Sequence, residues 1–279
     1  MWLEGALTHG TDVRPSTLAK ALQGATHFAL RQGDYGRAIA LGQKGVALCR
    51  ELGDRENGAL LLLWLGSVAI RQGDYARATA LFQESLSLCH ELAEKWLTAL
   101  ALEDLGDVAR CQGGYERAAA LYMQSLALSR NAGDKDRIAI SLDYLGMATL
   151  LQGDYKRATE YFRESLSVCK EVKNTWVPVQ CLEGLGGAAY AQQHYEKAAR
   201  LFGAAEVLRA TLGWRPYPSD QAYYNECAAS TRGALGDAVF AATWAEGRAM
   251  TLEQAIEHAL AGETRPEEAH GSSSNVAPK

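Results

Sequence analysis

Glu103, Asp104 and Asp143 are the residues of this 279-residue chain whose type and spacing best suit chemistry. Carboxylates in unlike surroundings can divide the work of a general acid and a general base. The rest of a catalytic set is missing beside them: no nucleophile stands next to a base, and no run suggests an oxyanion hole. His9, His27, His90, His194, His258 and His270 stand at unrelated positions and make no constellation. Six cysteines include no Cys-x-x-Cys and no pairing with histidine, which argues against zinc. Cys49, Cys89 and Cys169 recur at spacings of 40 and 80 and read as small, reduced core residues. These observations predict no catalytic residue, no metal and no cofactor, so no enzyme. The carboxylates do have a period, because Glu103, Asp143 and Glu183 stand forty residues apart.

That period runs through most of the chain. Arg31-Gln-Gly-Asp-Tyr35 returns as Arg71-Gln-Gly-Asp-Tyr75, Cys111-Gln-Gly-Gly-Tyr115, Leu151-Gln-Gly-Asp-Tyr155 and Ala191-Gln-Gln-His-Tyr195. A fixed period of this size is the signature of a solenoid, in which each unit buries its apolar face on its neighbours. Within one unit, Ala59, Leu62, Leu65, Val68 and Ala69 recur at helical spacing from Arg55 to Gln72. Gly73 suits the left-handed residue past a helix end, and Asp74 suits the N-cap of a second helix from Tyr75 to about Leu92. Gln193-His194 lacks the glycine, so a less ideal turn is expected there. Leu-Gly recurs at 65–66, 105–106, 145–146 and 185–186, and an aromatic ring at Phe82, Tyr122, Phe162 and Phe202. Glycine inside a helix costs roughly 0.5–1 kcal/mol against alanine, so close helix approach is the expected reason. Repeat one departs from both patterns, with Ala25-Thr26 and Gly42.

Leu-Gly, an alanine twelve residues past that glycine and a ring four further on resemble the tetratricopeptide repeat, here in a 40-residue variant of the usual 34. The resemblance covers roughly residues 15–212. It implies an all-α fold: a right-handed α-solenoid of five antiparallel helix pairs with marker turns at 33, 73, 113, 153 and 193. Residues 1–14 read as a partial N-terminal repeat helix, 213–262 as a helical C-terminal cap and 263–279 as a disordered tail. Ser219-Asp220, Asp237 and Thr251 are the expected N-caps of the three cap helices.

In this family the first helix of each repeat lines a concave groove. Carried over by repeat phase, the groove residues are Leu63, Ser67 and Ile70; Glu103, Asp107 and Arg110; Asp143, Met147 and Leu150; and Glu183, Gly187 and Tyr190. The carboxylates would then form an open acidic ladder outside the core. The expected partner is a protein or peptide, basic or amphipathic, with a small-molecule inducer as the alternative. Ala204-Ala-Glu-Val-Leu-Arg209 and the block from Phe240 to Ala255 also resemble the end of the repeat region in large bacterial signalling ATPases and LuxR-type regulators. No nucleotide-binding loop and no basic helix-turn-helix accompanies them. The resemblance thus implies the sensor or partner-binding part of a regulator, or a fragment of a split one. The net charge, 28 − 33 = −5, argues against direct nucleic-acid binding. No signal peptide opens the sequence and no apolar run of about 20 residues occurs, which points to the cytoplasm.

Overall fold

The computed structural model describes residues 14–213 and 216–261. The expected N-terminal partial helix, up to residue 13, and the tail from 263 lie outside the described residues. Every regular element among the described residues is a helix. They run α1 (Pro15–Gln32), α2 (Tyr35–Leu52), α3 (Arg55–Arg71), α4 (Tyr75–Leu92), α5 (Lys95–Cys111), α6 (Tyr115–Ala132), α7 (Lys135–Leu151), α8 (Tyr155–Val172), α9 (Val177–Ala191) and α10 (Tyr195–Leu212). Three more follow: α11 (Pro218–Leu235), α12 (Asp237–Arg248) and α13 (Leu252–Leu260). The first ten make five antiparallel pairs stacked as a tetratricopeptide-like solenoid, each packed on its neighbours in sequence.

The turn chemistry acts as its residues suggest. Asp34, Asp74 and Asp154 each accept from the backbone amide three residues on and cap α2, α4 and α8. Gln193 occupies the left-handed region at φ 63° where the other marker turns have glycine, a backbone position unfavourable for a side chain. Two expected caps differ. Tyr217 precedes α11, so Asp220 falls inside the helix and points its carboxylate elsewhere. Gly236 is the N-cap of α12, and Asp237 pairs with Arg232 Nε at 2.6 Å. Thr251 does cap α13, in a capping box with Gln254.

The periodic glycines and rings fit one another. Phe82, Tyr122, Phe162 and Phe202 are buried, and each lies flush on the helical glycine sixteen residues before it. A methyl group at Gly146 would stand 2.7 Å from the Phe162 ring, and one at Gly186 would stand 2.7 Å from Phe202. Repeat one exchanges the two volumes. Thr26 stands where the others have glycine, and Gly42 where they have a ring. Leu65 of the next repeat fills the vacated space, 2.7 Å from where a Gly42 methyl would be.

At the far end α12 lies across α10. Gly203 and Gly247 let the two backbones touch, Trp244 Nε1 donates to Glu206 at 3.0 Å, and Arg200 pairs with Glu246 at 2.7 Å. Ala255, Ile256 and Ala259 of α13 join the core of the last two repeats. α11 takes a different course, back over the first helices of the repeats.

Candidate functional site

The first helices α1, α3, α5 and α7 present a row of side chains to a cavity of about 520 Å³. Its lining comes from helical neighbours: Leu60, Trp64, Ser67 and Arg71 on α3, Leu100, Glu103 and Asp104 on α5, Arg137, Ile140 and Tyr144 on α7. α1 adds His27, whose ring stacks on Trp64 with centroids 4.4 Å apart. Trp96, Trp176 and Tyr217 complete an aromatic rim. A second, smaller cavity of about 100 Å³ lies further along, bounded by Arg110, Asp143, Met147, Tyr217 and Tyr224 among others.

Between and beyond these cavities the groove is filled by the chain itself. Arg71 donates to the Pro216 carbonyl at 3.3 Å, and its guanidinium lies 4.8 Å from the centre of the Tyr217 ring. Arg110 stands 5.9 Å from the same ring and grips the Asp220 carboxylate with both terminal nitrogens. Tyr224 reaches Met147 Sδ at 3.7 Å, and Tyr223 covers Gly187. Residues 216–224 therefore run along α3, α5, α7 and α9 in the place of a ligand.

The acidic ladder is not an open face, which corrects the sequence reading. Leu63, Ile70, Glu103, Asp107, Arg110, Asp143, Met147, Leu150 and Glu183 are all buried, none more than 6% exposed. Moving one residue along a helix rotates the side chain by about 100°. The 63/103/143/183 series lies one step short of the groove row 64/104/144, and 70/110/150/190 lies one step short of 71. Both series turn into the seams between helices. Leu63 and Ile70 join the core around Phe82, and Leu150 joins that of the last repeats. Ser67 and Glu103 line the larger cavity; Arg110, Asp143 and Met147 line the smaller. Tyr190 is half-buried against Tyr195, ring centroids 6.2 Å apart.

A buried carboxylate needs partners, and each has them. Glu103 accepts from Ser141 at 2.6 Å, Ser125 at 2.8 Å and Arg137 at 2.7 Å, which ties α5 to α6 and α7. Asp107 accepts from Tyr122 at 2.7 Å and Arg110 at 3.3 Å. Asp143 accepts from the Cys181 thiol at 3.3 Å. Glu183 pairs with Arg209 at 2.6 Å through one oxygen, while the other is buried without a partner. The ladder is thus a set of clamps between helices.

Burial pushes the Asp143 and Glu183 carboxyls each up to about 8. A carboxyl whose folded value exceeds its unfolded one favours the fold while protonated. Between the ordinary values of 3.8 and 4.5 and the folded values near 8, the folded chain binds more protons. Stability should therefore fall as pH rises through that window and level off above it. Each group contributes at most about 1.4 kcal/mol per pH unit. His27, lowered by burial, acts in the opposite sense at more acid pH, so the clean interval is pH 7–8. Urea midpoints at pH 7 and 8 should show the decline, and Asp143→Asn should reduce its slope. A flat wild-type profile would mean that both carboxyls ionise without cost.

The residues that sequence reasoning missed are the rim: His27, Trp64, Arg71, Trp96, Tyr144, Trp176 and Tyr217. A signal was present. At position 24/64/104/144/184 the repeats read Gly, Trp, Asp, Tyr, Gly, a site where the otherwise strict period disagrees with itself. Positions that hold the stack together repeat; Trp64, Asp104 and Tyr144 face the open cavity, where packing does not dictate the residue. Among the described residues no group of three His, Cys, Asp or Glu is placed to hold a metal ion. Among them too, no helix is long and apolar enough to cross a membrane.

A stack of helix pairs with a groove long enough for a polypeptide is a helical repeat scaffold. The chain belongs to the tetratricopeptide repeat family: the family model matches residues 19–91, 56–131 and 97–171, together more than half its length. Such repeats generally serve as protein-interaction scaffolds. No curated protein matches the chain. Among solved structures it is similar to a Rap protein complexed with Competence and Sporulation Factor, at TM-score 0.63 and 15% identity, over 89% of this chain and 74% of that one. It is similar to BtubC from P. vanneervenii at TM-score 0.59 and 20% identity, over 77% and 90%. A Signal Transduction ATPase with Numerous Domains from Pyrococcus horikoshii, which has a tetratricopeptide repeat sensor, gives TM-score 0.60 and 16% identity, over 88% of this chain and 37% of that one. At these identities the likeness is one of fold.

Proposed function

We propose that this chain is a non-catalytic scaffold that binds a protein or peptide segment in the groove along α1, α3, α5 and α7. The observation that carries this reading is the groove's own content: residues 216–224 already lie in one half of it, and the aromatic-rimmed cavity continues the same channel. Aromatic rings beside an open channel supply large contact area at low entropic cost, as in binding hot spots. The partner expected is amphipathic, anchored by an apolar or aromatic side chain. The ladder no longer argues for a basic one, because its carboxylates are buried and paired.

The biological setting proposed is bacterial regulation in the cytoplasm, as the sensor or partner-binding part of a LuxR-type or signalling-ATPase system. The fold likeness to the Rap protein with its bound factor and to the Pyrococcus horikoshii sensor supports it, as do six free cysteines, which suit a reducing compartment. A small-molecule inducer is the second reading, favoured by a cavity within the ~300–1,000 Å³ typical of such sites.

Selection from a displayed random-peptide library tests the first reading. Trp96 is 38% exposed, so Trp96→Ala should leave the fold intact. Selected peptides should bind that variant at least about tenfold more weakly, a loss of about 1.4 kcal/mol. Peptides indifferent to Trp96→Ala and to Trp64→Ala would reject the cavity as the site. Failure to select any peptide, with thermal stabilisation by a small-molecule panel, would favour the inducer reading.

A further inference from the structure

Resting on the groove reading above, we infer that the seat of Tyr217, Asp220 and Tyr224 is a switchable peptide site, whose outside ligand is an acidic–aromatic peptide that displaces the chain's own segment. The seat has a definite chemistry. Two guanidinium groups, Arg71 and Arg110, flank the Tyr217 ring, and Arg110 offers a two-pronged donor to a carboxylate three residues on. Met147 and Phe202 receive an aromatic ring seven residues on, Phe202 with its centroid 6.5 Å from that of Tyr224. Positions i, i+3 and i+7 share one helix face, the spacing by which an amphipathic helix is read in a groove. Asp107 shares only Nη2 of Arg110, at 3.3 Å, and leaves Nη1 to the incoming carboxylate alone. A basic side chain in the place of Asp220 would meet the Arg110 guanidinium and be repelled.

The occupant is lightly held. α11 buries three of its eighteen residues, Tyr224, Cys227 and Thr231, whereas α9 buries twelve of fifteen. Segments with few buried contacts open at the lowest free energy. Tyr217 lines both the open cavity and the smaller one. A peptide that extends past the open cavity therefore runs into Tyr217 and must move it. The self-segment thus sets a threshold that a partner with the same pattern overcomes, since apparent affinity is reduced by the fraction of chains whose seat is empty.

The probe is a fluorescent synthetic peptide spanning Pro216–Glu226, read by anisotropy against the full chain. Wild type should bind it weakly. Asp220→Asn in the chain weakens the competing segment and should tighten binding at least tenfold; the same substitution in the peptide should abolish it. Ser219 Oγ lies 3.7 Å from Cys111 Sγ, so S219C can be closed as a disulfide that pins α11 in the groove. Oxidised S219C should not bind the peptide, and dithiothreitol should restore binding. Tyr217→Ala replaces this arm if mass spectrometry shows no closure, and should tighten binding like Asp220→Asn. Equal affinity for all forms, with helicity unchanged, overturns the inference. A concentration-dependent dimer of the Asp220→Asn chain also overturns it, since a second copy then fills the seat. Library-selected peptides that remain sensitive to Trp96→Ala but indifferent to the lock would leave the groove reading standing while the switch falls.

Discussion

Replacing Arg110 by alanine should cost about 3–5 kcal/mol of folding stability, because it strands Asp107 and Asp220 without their common cation. The Arg110 side chain is 4% exposed, Asp107 2% and Asp220 13%, so water can rehydrate little of what is lost. The cation also caps the Tyr217 ring, so the change should loosen the returning segment as well. Arg110→Lys should recover only part of the loss, since an ammonium cannot present a planar fork to Asp220 while keeping Asp107. Arg130 is the control. Its pair with Glu164 at 2.8 Å joins two half-exposed side chains, and Arg130→Ala should cost less than about 1 kcal/mol. Urea unfolding of the three variants checks the order, and 0.5 M salt should change the Arg130 pair more than the Arg110 triad. Equal losses at Arg110 and Arg130 would mean that the triad is hydrated in solution. The large cost of truncation does not conflict with displacement by a peptide: truncation leaves buried charge unpaired, whereas displacement exchanges one carboxylate for another.

The second large effect is expected at the Gly146–Phe162 contact. Phe162→Ala should cost about 3–5 kcal/mol, the usual range for a fully buried phenylalanine. Gly146→Ala should cost about 1–3 kcal/mol by overpacking, less the roughly 0.5–1 kcal/mol that alanine gains over glycine in a helix. The ring has little room to step aside, because Gly184 of the next repeat also lies against its tip, at Cζ, Cε1 and Cε2. Adding Phe162→Leu to Gly146→Ala should return part of the loss, and a double-mutant cycle should show coupling of at least about 0.5 kcal/mol. Additive losses would show that ring and glycine do not share one space. Repeat one has made the same exchange, with Thr26 facing Gly42.

The repeat architecture was legible in the primary structure because the interactions that build it are local or recur at a fixed interval. Asp74 caps the helix that starts beside it, and each ring packs on a glycine sixteen residues earlier. These contacts need only the chain's neighbourhood, repeated, and so leave a periodic mark. The groove-facing row was half legible: its interval was right, and the series through Ser67 and Met147 lines the cavities, but the series through Leu63 and Ile70 fell one residue short of that face. On a helix buried on several sides, polarity does not tell inside from outside, since Glu103, Asp143 and Glu183 are as buried as Leu63. Only the stacked structure shows that Ser125, Ser141, Arg137, Cys181 and Arg209 stand where those carboxylates need them. The occupancy of the groove left no mark at all. Asp220 and Arg110 are 110 residues apart and belong to no shared period. A contact made once, across that separation, is decided by how five repeats curve in space and by where the chain emerges after the last of them.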